Sequence, residues 1–197
     1  MNGDHSHGNR LLLIAAVSVA VVLGFMAGAI LVHISNSEKE TPALRSKISS
    51  TVTGHNLAEL EVQLYFGSTT ANYLYAEKRV IQAGGAVSAA AAIIRELLQG
   101  PHSAGFVSTI PEQTTLRHLF VTEDEIAYVD LSAEISRGHP GGIIAELLTI
   151  YGVVNALALN LKEIQRVQIL VDGEVVPTLA GHVDVSHPLP ANLALVH

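Results

Sequence analysis

At 197 residues the chain is long enough for one domain plus additional segments. Apolar residues make up 49% of it and charged residues only 15%, against roughly 25% in an average globular chain. The net charge of −7, with none of the 11 basic residues in a run, argues against a nucleic-acid partner, and the absence of Cys excludes disulfides, Cys-ligated zinc and a lipid-modified Cys.

Residues 1–10 form a short N-terminal tail. From Leu11 to Val32 there is no charged residue, and as a helix this run would be ~33 Å long, about the thickness of a bilayer core. Ala27-Gly28-Ala29 has the small-x-small pattern of a signal-peptide cleavage site. The apolar run continues through Ile30, Leu31 and Val32, however, and this favours an uncleaved transmembrane anchor over residues 11–32. Flanking basic residues do not set the orientation, since Arg10 precedes the span while Lys39, Arg45 and Lys47 follow it. The layout of short tail and first hydrophobic segment is that of a signal anchor. It places the chain in the inner (cytoplasmic) membrane with the following domain extracytoplasmic, or periplasmic. Residues 33–59 are polar, Ser/Thr-rich and aperiodic, and read as a linker.

The domain proper spans 60–190, with 191–197 as a C-terminal tail. Glu61–Phe66 is a β-type run stopped by Gly67-Ser68-Thr69, and Tyr73–Ile81 is its expected hairpin partner. A helix follows over about 86–98, with Val87, Ala90, Ala91, Ile94 and Leu98 on one face and Gly100-Pro101 ending it. Thr115–Val121 and Ile126–Leu131 form a second hairpin around the acidic turn 122–125. A long, nearly apolar helix covers about 142–161, its stripe carrying Ile143, Leu147, Ile150, Val154, Leu157 and Leu161. Its polar positions are limited to Glu146, Thr149, Asn155 and Asn160. Val167–Val171, Asp172-Gly173 and Glu174–Val176 have the pattern of a two-residue hairpin, with Pro177 placing the second arm at an edge. This order predicts an α+β domain: one mainly antiparallel sheet with two helices packed on a face, related to split βαβ arrangements.

No constellation in the sequence reads as catalytic, cofactor-binding or metal-binding. Asp130 and Glu134 lie four apart, but Asp130-Leu131-Ser132 is better explained as a strand end whose side chains bond backbone amides. Ser132 lacks the context of a nucleophile elbow. Asp172 and Glu174 flank a turn that accounts for both. The ten His residues contain no helical metal-binding pair, and His182, Asp184 and His187 form the only local metal-type group, in what reads as a surface loop. Gly138–Gly142 is Gly-rich without the Lys-Ser/Thr of a phosphate loop. With no Trp, 5 Tyr and 4 Phe, a sugar-stacking platform is disfavoured.

Val62–Phe66, Leu97-Leu98-Gln99-Gly100-Pro101, Ile110-Pro111, Tyr128–Ser132 and Val167–Gly173, followed by Thr178–His182, Asp184 and Pro188, occur in an order that resembles the GerMN domain. That domain takes its name from a sporulation and spore-germination lipoprotein. The resemblance implies an extracytoplasmic, ring-building type of fold with no catalytic residues to carry over. The namesake has two tandem domains on a lipid anchor, whereas this chain has one domain behind an apolar span. The expected function is a non-enzymatic protein-interaction or assembly module of the cell envelope, linked to sporulation or germination, with self-association or envelope proteins as partners. The alternative is a module that binds peptidoglycan or another cell-wall glycan. Docking is expected through a sheet edge or helix face, around the 174–178 arm or the 122–125 turn.

Overall fold

Alternation of apolar and polar residues builds the first hairpin. The computed structural model describes residues 57–197. The apolar run 11–32 and the linker up to residue 56 lie outside the described residues, none of whose helices is long and apolar enough to cross a membrane. Strand β1 (Ala58–Ser68) pairs antiparallel with β2 (Tyr75–Ala83), and along β2 every second residue, from Glu77 to Ala83, is buried. Helix α1 (Ala86–Leu98) follows, then a two-residue strand β3 (Phe106–Val107), which pairs with the end of β1. Strands β4 (Leu116–Val121) and β5 (Ile126–Leu131) form the second expected hairpin, with a register shift between Leu116 and His118. A single-turn helix α2 (Glu134–Arg137) leads to the long helix α3 (Ile143–Ala158). Strand β6 (Arg166–Val171) then lies parallel to β5, making β5–α3–β6 a βαβ unit. A two-residue β7 (Leu189–Pro190) and a 3₁₀ turn (Leu193–Leu195) complete the described chain.

The expected α+β class holds, but the single sheet is two. Their orders are β2-β1-β3 and β4-β5-β6-β7. The free edge of β1 explains the division. Next to β3, helix α3 comes so close that a Cβ on Gly152 would lie 3.3 Å from the Tyr65 carbonyl. Further along, the Asn160 side chain closes the edge like a peptide group: Nδ2 donates to the Gln63 carbonyl (2.7 Å) and the Gln63 amide donates to Oδ1 (2.8 Å). No strand of the second sheet can join there. The helices connect the sheets instead, α1 touching β2, β1 and β4, and α3 touching β1 and β6.

Two further expectations are corrected. The arm 174–176 is not a strand: the Asp172-Gly173 turn forms with both residues at positive φ (52° and 86°), but pairing stops at the single Val171–Glu174 bridge. Pro177 has no amide to continue it, and at the other end of β6 the partner is β7. The buried face of α1 is also turned from the expected stripe, consisting of Ala89, Ala90, Ile93, Ile94 and Leu97 while Val87 is 49% exposed. Four consecutive alanines give either face the same apolar spacing, so only packing chooses. In α3, Ile150, Val154 and Leu157 are fully buried as expected, but Ile143 is exposed at the helix start.

Candidate functional site

Three buried carboxylates organise the loops of the domain. Glu77 and Arg79 point inward from alternate positions of β2 and are 7% and 8% exposed. Arg79 donates from Nε and Nη2 to Glu77 Oε1 (2.9 and 2.7 Å) and from Nη1 to Glu96 Oε2 on α1 (2.9 Å). It also donates to the carbonyls of Glu96 (3.1 Å) and Gly100 (2.6 Å), and its guanidinium lies 5.5 Å over the Phe66 ring. Glu77 accepts in turn from the amides of His102 and Ser103. Burial alone would raise the Glu77 carboxyl, but donation from Arg79, Ser103 and His102 outweighs it and holds the group at about 2. The result is a rigid 100–103 loop after α1.

Glu146, fully buried on α3, does the same for the loop after Pro177. It accepts from the amides of Leu179 (2.9 Å), Ala180 (2.8 Å) and His182 (2.9 Å), with His182 Nδ1 at 3.1 Å. Burial again opposes ionisation, and the surrounding amides with the His182 ring lower the carboxyl below its ordinary range. Nearby, the Gly141 amide donates to His139 Nδ1 (3.0 Å), so the ring proton sits on Nε2 and faces Thr149 Oγ1 (3.0 Å). Burial keeps His139 below its usual value, consistent with this neutral form.

Asp130 closes the third cluster. Its Oδ1 accepts from the Gly173 amide (2.7 Å), and its Oδ2 lies 3.1 Å from His118 Nδ1 and 3.7 Å from Arg117 Nε. Arg117 also pairs with Asp172, so the Asp-Gly turn is pinned to β4. Ser132 Oγ accepts from the Thr115 amide (3.0 Å), and Glu134 pairs with Arg137 and is lowered by the Ser132 hydroxyl. Asp130 and Glu134 thus serve different partners, and the amides that Asp130 and Ser132 hold, those of Gly173 and Thr115, are distant in sequence rather than local. Glu174 is exposed beyond the turn. The structure also separates His182, Asp184 and His187: His182 goes to Glu146, Asp184 accepts from the amide and hydroxyl of Ser186, and His187 is exposed. Among the described residues no three His, Cys, Asp or Glu side chains are grouped to hold a metal.

A cleft of about 1090 Å³ has walls from Leu98–Pro101, Phe106–Ser108, Ile110–Gln113, Glu134, Arg137 and Gly138. Two segments that carried the resemblance, Leu97–Pro101 and Ile110-Pro111, therefore meet on one surface. The Arg79–Gly100 bond stiffens one wall, and the edge strand β3 lies beside it, with the Phe106 amide donating to the Ser103 carbonyl (3.3 Å). Sequence reading did not find this cleft, nor Glu77, Arg79 and Glu96. One signal was present: Glu77 and Arg79 share the row of Ile81 and Ala83, so alternation puts opposite charges side by side on a core face.

These features define a small two-sheet α+β domain in which buried charges hold loops and a cleft borders an edge strand. The family model described as "Germane: Sporulation and spore germination" matches residues 63–177, more than half of the chain, and the chain belongs to that family. Solved structures agree on the fold. A candidate lipoprotein from Clostridium perfringens superposes with a TM-score of 0.50 at 24% identity, over 68% of this chain and 87% of its own. The first GerMN domain of the sporulation protein GerM from Bacillus subtilis gives 0.52 at 20% identity, over 66% and 97%. The tandem GerMN domains of that protein give 0.51 at 19% identity over 68% of this chain, which spans only 44% of the tandem pair. No curated protein matches the chain.

Proposed function

We propose that this protein is a membrane-anchored, extracytoplasmic assembly module of the cell envelope, serving sporulation or germination by docking proteins rather than by catalysis. The observation that carries this reading is the cleft. Two of the segments of family resemblance meet on it, the edge strand β3 borders it, and its wall is fixed in advance by the Glu77–Arg79–Glu96 cluster. A preformed groove beside an edge strand suits an extended segment of a protein partner, which gains side-chain contacts from walls already in place. The buried ionisable groups Glu77, Glu146 and Asp130 are engaged in holding loops, which supports a binding rather than a reactive role. Anchoring through residues 11–32 would confine the domain near the bilayer and make weak contacts effective.

The test is photo-crosslinking in intact cells from Val107, 38% exposed at the cleft edge, with Glu123 in the acidic turn as a second position. Discrete protein adducts from Val107 are expected. Absence of adducts at both positions, together with retention of the purified domain on peptidoglycan, would replace this reading with glycan binding.

A further inference from the structure

Residues 189–197 form a strap that ties the two sheets together. Leu189–Pro190 pair with Arg166–Val167 at the edge of β6. Asn192 then exchanges two hydrogen bonds with the Asn155 side chain on α3: Nδ2 donates to the Asn192 carbonyl (3.0 Å), and the Asn192 amide donates to Oδ1 (2.8 Å). Asn155 is fully buried, so its amide is a fixed acceptor and donor aimed at an extended backbone. Further on, the Leu74 amide donates to the Leu195 carbonyl (2.7 Å), and the His197 amide donates to the Leu74 carbonyl (2.9 Å). The His197 ring stacks on Tyr75 at 5.1 Å and meets Tyr73 edge-on at 6.1 Å.

The strap is nevertheless lightly held. None of residues 191–197 is buried, and Leu193 is 65% exposed, whereas Val185 just upstream is 1% exposed. The connection is His187-Pro188-Leu189-Pro190. Each proline fixes its own φ and restricts the residue before it, so the connection is stiff. The strap also lies beyond the stretch that matches the family, which ends at residue 177.

We propose that the strap is exchanged between copies: residues 189–197 of one chain occupy the seat made by β6, Asn155 and Leu74–Tyr75 of its neighbour. The proposal rests on the assembly reading above and names the second copy as a partner and strand exchange as the mode. The seat is shaped to this sequence, so a neighbour's strap makes the same hydrogen bonds as the chain's own. Exchange then changes the contact energy little, and the stiff connection and the local concentration of copies decide it. An empty seat is disfavoured in either arrangement, because it would leave the buried Asn155 amide without partners.

The chain has no Cys, which gives a clean background for a test in full-length, membrane-inserted protein. Two versions are co-expressed, one carrying Tyr73→Cys and the other His197→Cys, and treated with a short bifunctional maleimide. A covalent heterodimer is expected, and adding Asn155→Ala to the Tyr73→Cys chain should reduce its yield several-fold. The control pair Glu123→Cys with His197→Cys should give none. Bridging confined to a chain bearing both Tyr73→Cys and His197→Cys would overturn the proposal, as would equal yields from the Glu123 control. In either case, persistence of the Val107 adducts would show that assembly stands while strap exchange fails.

Discussion

Arg79 is the residue on which the first of the three buried clusters depends. It holds two carboxylates and two carbonyls from its three guanidinium nitrogens, and removing it would leave the Glu77 charge inside the domain without its cation. Arg79→Ala should therefore cost about 3–5 kcal/mol, the usual penalty for breaking one side of a buried pair. The pH dependence has a definite sign. Glu77 titrates at about 2 in the folded chain against an ordinary 4.5, so its stabilisation is complete above about 4.5 and is lost as pH falls toward 2. At 1.36 kcal/mol per unit, that loss is roughly 3 kcal/mol. Urea unfolding of the wild-type domain between about pH 5 and pH 2 should show this loss, and Arg79→Ala, already weakened at neutral pH, should show a much shallower decline. An equally steep decline in both would remove Glu77 from the account. Glu146 acts with the same sign, because its carboxyl is also lowered by the amides it holds.

At the scale of elements, α3 is the centre of the molecule. Ile150, Val153, Val154 and Leu157 fill its core side, and its polar residues, far from marking a solvent face, are used inward. Glu146 latches one loop, Asn155 takes Asn192, and just beyond the helix Asn160 closes the edge of β1. The closeness of Gly152 to the Tyr65 carbonyl is what lets the helix reach that edge. Ile150→Ala should cost about 2–5 kcal/mol in chemical denaturation of the 56–197 fragment. The same measurement separates the two possible faces of α1. Ile94→Ala should fall in that same range, whereas Val87→Ala, on the exposed side, should stay within about 0.5 kcal/mol. Similar costs at Val87 and Ile94 would mean that the helix packs on the face expected from its spacing alone.

For the whole molecule, the question is where the domain resides. The apolar run 11–32 motivates the proposal that residues 33–197 lie outside the cytoplasm. A reporter active only beyond the membrane, fused after His197, should be active, and one active only in the cytoplasm should be silent. The reverse result would place the cleft and the strap on the cytoplasmic side and change which partners can reach them. With a net charge of −7, those partners are not expected to be nucleic acids.

The amino-acid sequence by itself determined every long element of the domain, because each of them is set by a local rule. Runs of β-type residues between turn signals marked β1, β4, β5 and β6, alternation marked β2, period 3.6 marked α1 and α3, and Asp172-Gly173 marked a turn that needs positive φ. The order of its short motifs was enough to indicate the family. What only the tertiary structure decided is how these elements share their edges and faces. The split into two sheets depends on Asn160 and Gly152 closing the edge of β1, and neither residue has any local mark of that role. β3 and β7 are two residues each, too short to show a period, and exist because β1 and β6 offer them edges. The buried clusters bring together residues as far apart as Glu146 and His182, or Asp130 and Gly173. Hydrogen bonding of a buried charge is settled by which groups the packed chain places within reach, and a one-dimensional pattern does not carry that distance.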